Sequence, residues 1–247
     1  MPSAAPIPLA LFRRPVPSAA PSEARRLSSA ALAASRAAAL QHWNRRDPLW
    51  VFGYASLIWR PQLEYDARMV AQVHGYHRQL CMWSVQHRGS ADCPGLVAGL
   101  DRGGSCSGVA FRIPASAVDD QFARLWRREM ALDEYTPRWL SCRRLDRGGA
   151  GRGAAPFRAV RGAAPFQALA FVVRHATPYF SGRLAADQQL EVVLRAHGQF
   201  GSNLDYLQQT VAALRAEGLR DRRLEQLARR AQHLHATRST PVAPGKP

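Results

Sequence analysis

The chain has 247 residues, with 34 Lys and Arg against 18 Asp and Glu for a formal net charge of +16, and it is 47% hydrophobic. That length fits one domain of about 180–200 residues plus tails, and the apolar content supplies ample material for a core. No apolar run approaches the roughly 20 residues that span a bilayer, so a membrane-spanning helix is excluded and a globular, cytoplasmic protein is expected.

The positive charge is almost all arginine, Lys246 being the one lysine, and it is spread along the chain. Such a bias reads as compositional, and it predicts non-specific, salt-sensitive binding of polyanions. No helix-turn-helix, zinc-finger or aromatic RNA-binding signature accompanies it, so no specific nucleic-acid partner is expected. Cys81, Cys93, Cys106 and Cys142 lack any C-x-x-C spacing and read as reduced, buried thiols. His74 with His77, and His233 with His235, have no companions at ligand spacing, so no metal and no cofactor is expected.

Residues 1–47 are rich in Ala, Ser, Pro and Arg, superficially like a transit peptide. They read as a flexible basic leader whose Ala-rich part, residues 22–43, can form a helix and dock on the domain. The domain proper is expected over residues 48–235. It opens on Trp50-Val51-Phe52-Gly53-Tyr54-Ala55-Ser56-Leu57-Ile58-Trp59, an apolar run broken by small residues. This is the pattern of a buried strand feeding a tight loop, whose bare amides can hold an anion or a developing oxyanion. The same pattern also suits an ordinary strand and turn.

Residues 65–83 alternate apolar and polar side chains, as one or two strands do. Residues 86–95 read as a loop. Residues 96–100 and 107–113 are then two short strands, joined by an Asp101-Arg102-Gly103-Gly104 hairpin turn. Ser116 is the expected N-cap of a helix whose Val118, Phe122, Leu125 and Trp126 form one face. Glu129 falls on that same face, where a carboxylate is expensive unless it lines a cavity or is paired.

Strand character resumes at residues 138–145. A tandem near-repeat follows, Arg152-Gly-Ala-Ala-Pro-Phe-Arg-Ala-Val160 and Arg161-Gly-Ala-Ala-Pro-Phe-Gln-Ala-Leu169. It reads as a duplicated surface loop whose second copy feeds a strand over residues 168–174. Helices are expected over residues 184–197, from an Asn203 cap to about Glu217, and from an Asp221 cap to about His233, with Gly218 between the last two. Residues 236–247 form an expected disordered tail.

Val51 to Trp59 resembles the glycine-rich substrate loop of the ChaC family of γ-glutamylcyclotransferases, enzymes that act on glutathione. Four further stretches match in order: Gln86-His87-Arg88-Gly89; Pro94-Gly95-Leu96-Val97 through Gly99-Leu100; Gly104-Ser105-Cys106-Ser107-Gly108-Val109-Ala110-Phe111-Arg112; and Trp126-Arg127-Arg128-Glu129-Met130. A weaker match lies at Gly201-Ser202-Asn203-Leu204-Asp205-Tyr206-Leu207. The family usually has Gly where this chain has Ala55, which the loop tolerates only if that position is extended or helical.

The resemblance implies an α+β fold, a small mixed β-barrel flanked by helices with a helical C-terminal part. It implies a monomer that degrades glutathione, releasing 5-oxoproline and Cys-Gly by attack of the substrate's own α-amine. Glu129 would be the general base and acid, and its apolar helix face supports that role independently. Val51, Phe52, Gly53, Tyr54, Ala55, Ser56 and Leu57 would bind the γ-glutamyl group. Arg88 and Tyr135 are substrate-contact candidates, or equally a surface arginine and a core tyrosine. Tyr206 either closes the site or packs helices, and Asp92 is given no chemical role. The alternatives are a cyclotransferase for other γ-glutamyl amides, and an inactive binding or regulatory protein of the same fold, associated with ion transport or polyanions.

Overall fold

A computed structural model of the chain describes residues 26–147, 157–159 and 162–239. The first 25 residues of the expected leader, most of the first repeat copy and residues 240–247 lie outside the described residues. The architecture is the expected α+β one. Strand β1 (Leu49–Gly53) pairs parallel with β6 (Phe166–Val173), β6 pairs antiparallel with β4 (Tyr135–Arg147), and β4 with β2 (Ala67–Ser84). Strand β2 then pairs with β3 (Gly95–Ile113), and β3 returns to β1 at Gly53↔Val109, which closes a mixed barrel.

Two readings of the strands are corrected. The Asp101-Arg102-Gly103-Gly104 stretch is not a hairpin turn but lies inside the single 19-residue strand β3. Its irregularity is absorbed as a bulge against β2 between His74 and Tyr76, with Gly75, Gly103 and Gly104 all at positive φ. Pairing with β2 continues on both sides of the bulge, and this long ladder outweighs the local turn chemistry. The repeat likewise contributes strand from both copies: Phe157–Ala159 forms β5 and Phe166–Val173 forms β6, and both pair with β4.

Helix α1 (Ser29–Ala39) is capped by Ser28, whose hydroxyl accepts from the Ala31 amide. It docks beside α3 (Val118–Glu129): the indole N–H groups of Trp126 and Trp139 donate to Ser35 Oγ and the Ala39 carbonyl. Ser116 does not cap α3. It sits in a short 3₁₀ turn, Ala115–Ala117, and the charge at the start of α3 comes from Asp119 and Asp120.

The core falls into two clusters, split by the period-two alternation of the strands. In β6, Leu169, Phe171 and Val173 join Phe122, Leu125 and Trp126 of α3, while Ala168, Ala170 and Val172 join the C-terminal helices. Those helices are α4 (Ala186–Arg195), α5 (Asn203–Ala216) and α6 (Arg222–Ser239), with a two-strand ribbon, β7 (His197–Gly198) and β8 (Gly201–Ser202), between α4 and α5. Asn203 is not the cap of α5. Ser202 is, in a reciprocal capping box with Asp205. Asn203 instead is buried and clasps β3, its amide pairing with both the N–H and the carbonyl of Leu96. Helix α6 runs on to Ser239, past the expected stop at His233.

Candidate active site

The chain leaves β1, turns at Ala55 and enters the short helix α2 (Ser56–Trp59). This corner, the end of α3, the 84–88 segment and Tyr206 of α5 enclose a cavity of about 380 Å³. That lies within the ~300–1,000 Å³ range of small-molecule sites.

The predicted binding loop divides at Gly53. Val51 and Phe52 are fully buried in opposite core clusters and do not line the cavity. Nor does Gly53, whose role is close packing: a Cβ there would sit 3.0 Å from Leu57 Cβ and 3.2 Å from the Phe111 ring. Tyr54, Ala55, Ser56 and Leu57 do line it. Ala55, at φ −147° and ψ −113°, lies outside the left-handed region that favours glycine, but the position is neither extended nor helical as the loop was expected to require. Within the corner the Ile58 amide donates to the Ala55 carbonyl, whereas the first N–H groups of a helix have no intrahelical acceptor.

Glu129, the last residue of α3, lines the cavity with 16% of its side chain exposed. Arg128 Nε lies 2.9 Å from its Oε1, as an ion pair without hydrogen-bond alignment. The rest of that guanidinium donates to Ser56 Oγ at 3.1 Å and to the carbonyls of Arg60 at 2.6 Å and Pro61 at 3.2 Å. One side chain therefore ties the general-base candidate to the loop. Burial raises the Glu129 pKa, and the Arg128 charge pulls it partly back.

Tyr54 and Tyr135 are buried in the cavity wall, and burial pushes both phenols well above their ordinary value. The Tyr54 hydroxyl already donates to the Phe171 carbonyl at 2.9 Å, so it has only acceptor capacity left. Tyr206, in the matching C-terminal stretch, also lines the cavity. Its oxygen accepts from the Ala98 amide at 3.0 Å and its ring faces the cavity.

Arg88 is no surface arginine; it is 6% exposed. It lies over the rings of Trp59 and Tyr206, 5.7 Å from each centroid, and burial lowers its pKa. The glycines around it explain how a loop packs so tightly. A Cβ at Gly198 would come within 2.5 Å of the His87 carbonyl, and one at Gly89 within 2.1 Å of the Gly95 amide. With Arg26, Arg60 and Arg128 nearby, burial and the arginine charges keep the His87 pKa down.

Glu134 is the cavity group that the residue pattern missed. It follows α3 by five positions, in a turn set by Asp133 at φ 53°, and it lines the cavity. Burial, with the Glu129 charge, raises its pKa to about 8. No periodicity marks it, because its direction comes from the turn and not from the helix. Among the described residues no group of three or more His, Cys, Asp or Glu side chains is arranged to hold a metal ion.

A family model described as ChaC-like protein matches residues 49–234. The glutathione-specific γ-glutamylcyclotransferase of Escherichia coli (strain K12) is 32% identical over 195 residues, covering 79% of this chain and 78% of that protein. The glutathione-specific γ-glutamylcyclotransferase 1 of Homo sapiens is 33% identical over 168 residues, covering 66% of this chain and 69% of that protein. Among solved structures, the selenomethionine-labelled γ-glutamyl cyclotransferase specific to glutathione from yeast shares the fold. It matches with a TM-score of 0.66 at 21% identity, over 78% of this chain and 100% of that one. The matched region begins at β1, carries the Tyr54–Leu57 corner, Arg88, Glu129 and Tyr206, and ends within α6: the chain belongs to the ChaC-like protein family.

Proposed function

We propose that the chain is a γ-glutamylcyclotransferase that degrades glutathione, releasing 5-oxoproline and cysteinylglycine. The observation that carries this reading is Glu129, a largely buried carboxyl in the wall of the same cavity as the Tyr54–Leu57 loop. The relatives named glutathione-specific add the substrate.

The substrate's α-amine attacks its own γ-carbonyl carbon. A five-membered ring closes, the amide C–N bond to the cysteinyl nitrogen breaks, and no water is consumed. Glu129 takes the proton from the attacking nitrogen and returns it to the departing one. Burial suits it to both steps by bringing its pKa toward neutral pH. Backbone amides of the 54–57 corner receive the tetrahedral oxyanion. Ser56, whose oxygen accepts from Arg128, keeps its own O–H to donate. The arginines at the mouth attract the dicarboxylate substrate. The proposal extends to a monomer without a specific nucleic-acid partner. A reducing, cytoplasmic setting is supported by four free, buried cysteines.

Incubation with glutathione and, separately, with γ-glutamylalanine tests the reading, with 5-oxoproline as the measured product. Release from glutathione alone is expected. Release from γ-glutamylalanine instead keeps the chemistry and moves the substrate, and product from neither overturns the reading.

A further inference from the structure

We infer that Glu134 binds the α-ammonium group of the substrate beside Glu129, so that the site receives the reacting amine between two carboxyl groups. The inference rests on the cyclotransferase reading above and deepens it.

Glu134 is held in place from both sides. The Asp133 amide donates to the Met130 carbonyl at 3.2 Å, the Arg174 amide donates to the Glu134 carbonyl at 3.0 Å, and the Asp133 carboxylate pairs with the Arg174 guanidinium. Its own carboxyl lines the cavity, and among the described residues no hydrogen bond or ion pair to it is found. The cations that could neutralise it are engaged elsewhere, Arg174 on Asp133 and Arg128 on Glu129. A carboxyl in the cavity wall without a partner is left to be paired by a cation that the ligand brings. The substrate carries one cation, its α-ammonium. The reaction requires that nitrogen next to Glu129, whose charge Glu134 already feels.

The other ionisable groups around the cavity are phenols, one imidazole and arginines. Tyr54 just past β1, Tyr135 of β4 and Tyr206 of α5 are all phenols raised by burial. At the mouth His87 is held down by burial and by arginines, and Arg26, Arg60, Arg88, Arg127 and Arg128 line the same cavity. Free Glu134 keeps its proton up to a pH of about 8. Ammonium binding favours the carboxylate, so binding releases a proton, and substrate affinity rises with pH below that value, up to about tenfold per unit.

Two measurements test this. In steady-state kinetics on glutathione, E134Q is expected to raise KM about ten- to a hundredfold, the loss of one charge-assisted contact. It should also flatten the fall of KM between pH 6 and 8, while E134D recovers part of both. By calorimetry in two buffers of different ionisation enthalpy, E129Q is expected to bind glutathione with proton release, and E129Q/E134Q to bind more weakly without it. Turnover by the wild type with an unchanged KM and pH slope in E134Q overturns the role of Glu134 alone, as does unchanged proton release in the double variant. No 5-oxoproline from the wild type overturns the underlying reading instead.

Discussion

Arg128 Nε sits 2.9 Å from Glu129 Oε1, and the same guanidinium reaches Ser56 Oγ and the backbone carbonyls of Arg60 and Pro61. Two neighbours in sequence thus join the proposed general base to a loop more than sixty positions earlier. Replacing Arg128 by Met removes the charge that lowers the Glu129 pKa and releases the loop. The acid limb of the kcat profile is then expected to move to higher pH, because burial alone sets the carboxyl. kcat/KM should fall by roughly a hundredfold at neutral pH from misplacement of the corner. A pH–rate profile with unchanged limbs would separate the ion pair from the chemistry.

Ala55, at φ −147°, predicts a silent substitution. Ala55→Gly is expected to leave kcat/KM within about twofold. A large gain in activity would mean that the methyl group obstructs the loop.

The residue pattern revealed what is periodic and local. Val118, Phe122, Leu125 and Trp126 set one face of α3 and so placed Glu129 toward the interior, and the apolar run before Tyr54 marked β1. What it missed depends on partners distant in sequence. Asn203 reads as a cap by residue type, yet its amide is used by Leu96 across the fold. Arg88 reads equally as a substrate contact and as a surface cation, and only the cover of Trp59 and Tyr206 removes the second reading. Val51 and Phe52 belong to the matching stretch because they hold the loop from inside the core, not because they touch a ligand. Glu134 was silent because a single positive-φ residue, Asp133, decides its direction.

The Asn203 clasp predicts a stability loss without a direct effect on chemistry. Asn203→Ala leaves the N–H and carbonyl of Leu96 without their partners, at roughly 2–4 kcal/mol. Thermal unfolding should show it as a lower Tm.

Gly198 predicts a selective effect on binding. Alanine there collides with the His87 carbonyl at 2.5 Å and the Gly89 amide at 2.6 Å, so the loop carrying Arg88 must move. Overpacking of this kind costs about 1–3 kcal/mol. KM should rise more than kcat falls, because Glu129 and the 54–57 corner are untouched.

Glu134 also predicts the sign of a stability profile. Its pKa rises from 4.5 in the unfolded chain to about 8 in the fold, so the folded state holds the extra proton between those values. Its contribution to stability is fully present below pH 4.5 and is lost as pH rises through about 8. The Tm difference between E134Q and the wild type should therefore move in favour of the variant from pH 5 to pH 8.5, and a constant difference would contradict the shift.

The most direct measurement is 5-oxoproline formation from glutathione by the wild type and by Glu129→Gln, with folding of the variant checked by its thermal transition. The account predicts steady product from the wild type and a loss of several orders of magnitude in a folded variant. Comparable turnover by the folded Glu129→Gln protein would contradict the assignment of Glu129 as the group that carries the proton.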